Sequence, residues 1–167
     1  MLGYVKKTLM PNEKLIFYSK PHPAIFAQPI MWIIFGLLLL IINFDPMLYG
    51  NSDIHLHTLL GVALLFIFLF KELMIFFFYI SSEYSITDKR VLIKVGLIRR
   101  YSLEIFLSKI ESVYVTQSIT GRIFNFGAVI ISGIGGSKDV FNYIPDPLHF
   151  RQLVQVAQGQ TEASVKI

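Results

Sequence analysis

The charged residues best placed to act together in this chain are Lys94, Arg99 and Arg100, gathered around Gly96-Leu97. If Gly96-Leu97 is a two-residue hairpin loop, Lys94 stands opposite Arg99 on the paired strands. Like charges directly opposite are mildly unfavourable, so an anion seated between them gains. With Lys89-Arg90 close by in sequence and a long apolar run upstream, an acidic-lipid headgroup is the candidate ligand. Each Lys or Arg near an anionic surface adds about 1 kcal/mol. The plainer alternative is a solvated strand edge that positive charge keeps from pairing. Lys71-Glu72 is a second group, because ionisable residues inside an apolar segment are functional candidates by default. Adjacent helix positions point about 100° apart, so the two cannot face each other and each needs its own partner. Otherwise they sit at the cytoplasmic interface. Ile119, Arg122, Ile123, Phe124 and Phe126 crowd one short connection, where they either plug the end of a barrel or offer a protein-contact surface.

No local pattern marks catalysis: G-x-S-x-G and H-E-x-x-H are absent, and no acid–base pair stands out. The 133–138 stretch, Gly-Ile-Gly-Gly-Ser-Lys, lacks phosphate-loop spacing and precedes a strand, so it reads as a flexible turn. Of His22, His55, His57 and His149, only the His55-x-His57 pair could present two imidazoles together. The nearby Asp45 and Asp53 complete no metal motif. The chain has no cysteine, which excludes thiolate metal sites, disulfides and cysteine nucleophiles. Neither a metal nor a cofactor is expected, and a net charge of +4 is too mild to indicate a nucleic-acid partner.

Composition says more. Charged residues are 16% of the 167, against about 25% in an ordinary soluble domain, while hydrophobic residues reach 54%. The excess lies in the first half. Residues 25–44 carry no charge and are long enough to cross a hydrocarbon core of about 30 Å. A second run, 57–80, is interrupted only by Lys71-Glu72, whose cost of about 5 to 7 kcal/mol is offset by the surrounding Leu, Ile, Phe and Val. The first run follows a polar stretch, is longer than a signal-peptide core and lacks a small-residue cleavage site, so a transmembrane helical hairpin is expected rather than a leader. Lys6, Lys7, Lys14 and Lys20 precede the hairpin, and most of the remaining basic residues follow it. The positive-inside rule therefore puts both termini in the cytoplasm and the 45–54 turn outside, which makes this a multi-pass plasma-membrane protein.

From residue 81 the text changes to short runs rich in Val, Ile, Tyr and Thr between turn signals, which predicts strands at 83–87, 90–95, 98–106, 110–117, 128–132 and 140–144. Asp146-Pro147 reads as an N-cap and first helical position. An apolar stripe of Leu148, Leu153, Val156 and Ala157 follows, ending near Gly159. The organisation is thus a cytoplasmic segment 1–24, a hairpin 25–80, a β domain with a C-terminal helix 81–159, and a loose tail 160–167.

The run Glu83-Tyr84-Ser85-Ile86-Thr87-Asp88-Lys89-Arg90-Val91 resembles the opening E-Y-x-[IV]-T-[DN]-x-R-[VI] of the bacterial pleckstrin-homology (PH) domain family, in its YdbS/YdbT-like group. The likeness continues in order through Gly96-Leu97, Glu104-Ile105, 107–113, Gln117-Ser118, 121–127, 144–147 and Phe150-Arg151, and a preceding helical hairpin has the same layout. The resemblance implies an α+β membrane protein whose bent antiparallel sheet forms a partial barrel closed by a C-terminal helix. It implies little about activity. Three functions remain open: a non-enzymatic module docking protein subunits, including copies of itself, at the membrane; an anionic-lipid-responsive domain; and an oligomeric pore built from the hairpins. The expected partners are the bilayer, a homo-oligomer or membrane protein, and an anionic lipid.

Overall fold

The computed structural model describes residues 3–42, 56–96 and 100–165. In chain order its elements are α1 (Val5–Thr8), β1 (Leu15–Ser19), α2 (Ala27–Ile42), α3 (Leu56–Ser81), β2 (Glu83–Thr87), β3 (Arg90–Val95), β4 (Tyr101–Phe106), β5 (Ile110–Thr116), α4 (Ile119–Ile123), β6 (Phe126–Gly133), β7 (Lys138–Pro145) and α5 (Pro147–Val165). They divide between two compact units, Ile25–Phe77 and a second made of Met1–Ala24 with Phe78–Ile167.

The helical unit is apolar all round. Pro23–Ile41 and Thr58–Ser81 each have a mean hydropathy of 2.4 and are long enough to cross a membrane. Only 11% and 6% of those stretches are buried, whereas a core helix of a soluble domain hides a full stripe. The helices approach closely through small residues. A Cβ on Gly36 would stand 3.2 Å from Leu65 Cγ and 3.4 Å from the Gly61 carbonyl oxygen, and one on Gly61 would stand 3.1 Å from Leu40 Cδ2. Such close backbone approach is the kind of packing by which van der Waals contact holds helix pairs in a lipid phase. Trp32 stacks on Phe68 at 5.4 Å beside this crossing. The expected turn at 45–54, with Asp45 and Asp53, lies outside the described residues, as does His55.

The second unit holds two antiparallel sheets, β1-β2-β3-β4 and β5-β6-β7. Tyr84, Ile86, Val91 and Ile93 from the first sheet meet Val129, Ile131 and Ile144 from the second, and Phe150, Val154 and Ala157 of α5 complete the core. Asp146 caps α5, its Oδ1 accepting from the His149 N–H at 3.3 Å, as the Asp-Pro pair predicts. The buried stripe differs from the expected one. Leu148 and Val156 are exposed, and Phe150, Leu153, Val154 and Ala157 face inward, which is the i, i+3, i+4, i+7 face set by a start at Pro147. The helix also continues past Gly159 to Val165, where a loose tail was expected from residue 160.

A strand that sequence reading left unassigned adds to this unit. β1, from the segment before the apolar helices, pairs antiparallel with β2, Ser19 opposite Tyr84. Its Phe17 ring sits edge-on to Phe150 at 5.7 Å. The helical hairpin is therefore an insertion between two neighbouring strands of one sheet, and the segment 1–24 is part of the β unit rather than separate from it.

Residues 3–13 explain why β2 is buried on both faces instead of alternating. They cover its outer side through charge. Arg90 donates from Nε to Glu13 Oε1 at 2.9 Å, from Nη2 to Glu13 Oε2 at 3.0 Å and the Thr8 carbonyl at 2.7 Å, and from Nη1 to Glu104 Oε2 at 2.6 Å. Thr87 and the Met10 N–H complete the shell of Glu13, each at 2.7 Å. Glu83 accepts the N–H groups of Gly3, Tyr4 and Val5 at 3.2 to 3.3 Å. Burial alone would raise the Glu13 pKa, but the hydrogen bonds from Arg90, Met10 and Thr87 and the charge of Arg90 outweigh it and hold the carboxyl below its ordinary 4.5.

A buried pair that loses one partner leaves an uncompensated charge, so Arg90→Met lowers the stability of the β unit by about 3–5 kcal/mol. Denaturant unfolding of the detergent-solubilised full chain measures this, and a loss under about 1 kcal/mol contradicts the arrangement. Because the Glu13 pKa is depressed on folding, its contribution is fully present above pH 4.5 and is lost as pH falls through the lower folded value. Amide exchange of Leu15–Ser19 is accordingly expected to rise first in acid.

Candidate functional site

The chain leaves the β unit after β1 and returns just before β2, and the features with most chemical character cluster at that end. His22, which follows β1, donates its backbone N–H to the Tyr143 carbonyl at 2.6 Å and accepts the Ala24 N–H on Nδ1 at 3.1 Å. Its ring stacks on Phe126 at 5.0 Å, and Phe126 stacks on Tyr143 at 5.9 Å. Burial pushes the His22 pKa down, in keeping with a neutral imidazole whose Nδ1 is an acceptor.

A β-bulge produces this stack. Gly127 pairs with Ile144 and Val129 with Phe141, so Ala128 alone opposes Asn142 and Tyr143. Tyr143 takes φ +59°, a left-handed conformation that costs a side-chain-bearing residue of the order of 1–2 kcal/mol. The bulge re-aims its ring along Phe126. Together with Gln117, Ser118, Gly127 and Asn142 these rings line an open cleft of about 450 Å³. Its walls mix aromatic faces with amide and hydroxyl groups.

α4 borders the cleft. Ser118 caps it, its Oγ accepting the Gly121 N–H at 3.1 Å, and Gln117 Nε2 ties it to the Phe126 carbonyl at 3.2 Å. A Cβ on Gly121 would stand 2.5 Å from that same carbonyl oxygen, so only glycine lets α4 lie this close to β6. Ile119 is 81% exposed, Ile123 72% and Phe124 62%, and Arg122 is exposed among them. These residues do not plug the barrel end. The five expected contact residues thus separate into an outward apolar knob with Arg122 and an inward Phe126 that floors the cleft.

The basic hairpin differs from its expected form. Lys94 pairs with Ser102 and Val95 with Tyr101, so the connection spans 96–100 and is longer than two residues. The Lys94 ammonium lies over the Tyr4 ring at 5.1 Å, Arg100 is exposed, and Arg99 lies outside the described residues. Lys94 therefore stands opposite Ser102, the longer connection having shifted the register from that of a two-residue loop. Gly96 donates its N–H to Ser82 Oγ at 3.3 Å, which sets the start of this loop beside the residue where the chain returns from α3. In the helical unit the Lys71 ammonium lies 5.1 Å from the Phe68 ring centroid, and Glu72 Oε2 is buried with no hydrogen-bond partner among the described residues. No ion pair joins the two among the described residues. No group of three or more potential metal ligands occurs among the described residues.

Sequence reading missed His22, Asn142 and Tyr143 as site residues. Their only local signals are the flanking prolines of Pro21-His22-Pro23 and an Asn-Tyr pair inside an otherwise regular strand. Gly121→Ala, which cannot keep α4 against the Phe126 carbonyl, is expected to cost about 1–3 kcal/mol. Gly159→Ala, with open space around it in α5, should stabilise by about 0.5–1 kcal/mol. Thermal melts of the two variants check the contrast, and equal melting temperatures would refute it.

A comparison with curated proteins finds no match, and neither does one with solved structures. A family model described as a bacterial PH domain matches residues 29–158. That span includes α2 from its third residue, all of α3, all of β2 to β7 and most of α5, but not β1 or the segment that covers β2. The match specifies the family and not the narrower YdbS/YdbT-like group. Two antiparallel sheets closed by a C-terminal helix, preceded by an apolar helical pair, agree with it, and the chain belongs to the bacterial PH domain family.

Proposed function

We propose that the chain is a non-enzymatic interaction module, anchored in the plasma membrane by α2 and α3, which docks protein subunits at the cytoplasmic face through the aromatic cleft. PH domains are generally non-catalytic interaction modules, and the fold therefore leaves the partner to be argued from the site. The observation that carries this reading is the strained Tyr143, held at φ +59° so that its ring and that of Phe126 wall an open cleft of about 450 Å³. Strain kept in a surface strand adds nothing to packing that a regular strand would not supply, and such outliers gather at binding sites. The distribution of Lys and Arg about the helices supports the cytoplasmic orientation. Subunits of the same chain are included among the partners.

Tyr143→Gly tests this reading without breaking the backbone, since glycine adopts positive φ freely. Native mass spectrometry of the full-length protein, released gently from its own membrane, should show the wild type in a complex of fixed stoichiometry. The Tyr143→Gly protein should lose that partner. An unchanged complex in the variant, or a bare monomer in the wild type, would overturn the docking reading.

A second reading has its own support. The loop that carries Arg100 begins beside Ser82, where the chain comes off an apolar helix, and positive charge at such a place attracts anionic headgroups. The same spectra are expected to show retained anionic lipid that falls away in a Lys94→Gln, Arg100→Gln double variant. Equal retention would remove this reading.

A further inference from the structure

We infer that α4 and its cap are a membrane-contacting wedge: Ile119, Ile123 and Phe124 insert into the interface of the bilayer that holds the protein, with Arg122 at the level of the phosphates. This rests on the reading of α2 and α3 as a membrane anchor. Three observations within the β unit carry it. The first is exposure: three large apolar side chains stand 62 to 81% free on five residues of helix and its cap, where water gives them nothing.

The second is position along the chain. His22, stacked on Phe126, lies directly before the apolar stretch that begins at Pro23. Phe124 is two residues from Phe126, and two residues span at most about 7 Å. The knob is thus tied to the point where the chain departs for the anchor, so an anchored chain holds it within reach of the bilayer. The loop beginning at Gly96, bonded to Ser82 where the chain returns, belongs to the same end. The third is charge. α4 and its cap carry one charge, Arg122, and no acidic residue; Asp146, whose N–H bonds to the Asn125 carbonyl, has its carboxylate turned to the His149 N–H as the cap of α5. Apolar side chains around a single Arg with a long stem fit an interface whose outer layer is phosphate, because the stem can lie in the apolar layer while the guanidinium reaches the headgroups. A protein partner for the knob would meet no such constraint from the tether.

The chain has no cysteine, so single cysteines at 119, 123 and 124 can each carry one environment-sensitive dye in the full-length protein. Ile134→Cys is the control, since Ile134 is exposed and follows the far end of β6 from Phe126, about 25 Å away along the strand. Ile34→Cys, on the exposed face of α2, reports the anchor itself. In pure-lipid nanodiscs containing nitroxide-labelled phospholipid, dyes at 119, 123 and 124 are expected to shift to the blue and lose most of their fluorescence to the lipid-borne quencher. The dye at 134 should stay accessible only to an aqueous quencher. Aqueous accessibility at 119, 123 and 124 while position 34 is quenched by lipid would overturn the wedge and leave the anchor standing. Shielding of those three positions in native-membrane vesicles but not in nanodiscs would assign the knob to a protein partner and equally overturn it. No lipid quenching at 34 would overturn the anchor, and the wedge with it.

Discussion

The guanidinium of Arg90, shared between Glu13 and Glu104, is the interaction on which the rest of the β unit depends. It carries the segment before the apolar helices onto a sheet whose other strands come after them, across more than seventy residues of chain. Three features make this viable in a buried setting. The pairing with Glu13 uses two nitrogens against two oxygens, each carboxylate oxygen of Glu13 accepts from two donors, and the Thr8 carbonyl takes a remaining N–H. With that clasp closed, β1 can pair with β2 and Phe17 can reach Phe150. The apolar helices then become an excursion from one sheet, leaving and returning on adjacent strands. Both tethers consequently emerge from one end, and that end gathers the chemistry.

The site at that end is shaped by steric exclusion as much as by attraction. Gly121 and Gly127 sit where a Cβ would strike the Phe126 carbonyl at 2.5 Å and the Thr116 carbonyl at 2.6 Å, so α4, β5 and β6 converge only because side chains are missing there. Space withheld by the glycines and an extra residue in β7 turn Tyr143 toward Phe126, and His22 closes the aromatic stack from the other side. Gln117 supplies the polar link that the packed backbone needs, donating to the Gly121 and Phe126 carbonyls. What projects outward from this tight base is the apolar knob of α4. A rigid base under an exposed apolar tip suits contact with another phase or molecule, since little order is left to be lost on binding.

Much of the architecture was legible locally. β2 and β3 begin and end where the Val, Ile and Thr runs and Asp88-Lys89 say they should, and Asp146-Pro147 starts α5. The long apolar helices follow from composition alone. The parts that were not legible share a cause: each depends on a partner far away in sequence. β1, Leu-Ile-Phe-Tyr-Ser, stands apart from the other strands, before the apolar helices, and is a strand through its pairing with β2. The expected Lys94–Arg99 pairing assumed a two-residue loop, and one longer connection moved Lys94 opposite Ser102. The α5 stripe shifted because Phe150 and Val154 meet the sheets while Leu148 and Val156, equally apolar, do not.

By itself the sequence determined what is decided by neighbours along the chain: apolar length, strand alternation, turn chemistry, the helix cap and the balance of charge about the helices. It also carried the ordered motifs of the family. Only the tertiary structure decided that Glu13 belongs to Arg90, that His22, Phe126 and Tyr143 form one stack, and that Ile119, Ile123 and Phe124 point outward while Phe126 turns in. The physical reason is that local conformational preference is summed over a few residues, whereas burial and pairing are settled by which distant surfaces compete for the same space. A phenylalanine in Phe124-Asn125-Phe126 has no local ground for facing one way rather than the other; the Gly121 approach and the β7 bulge supply it.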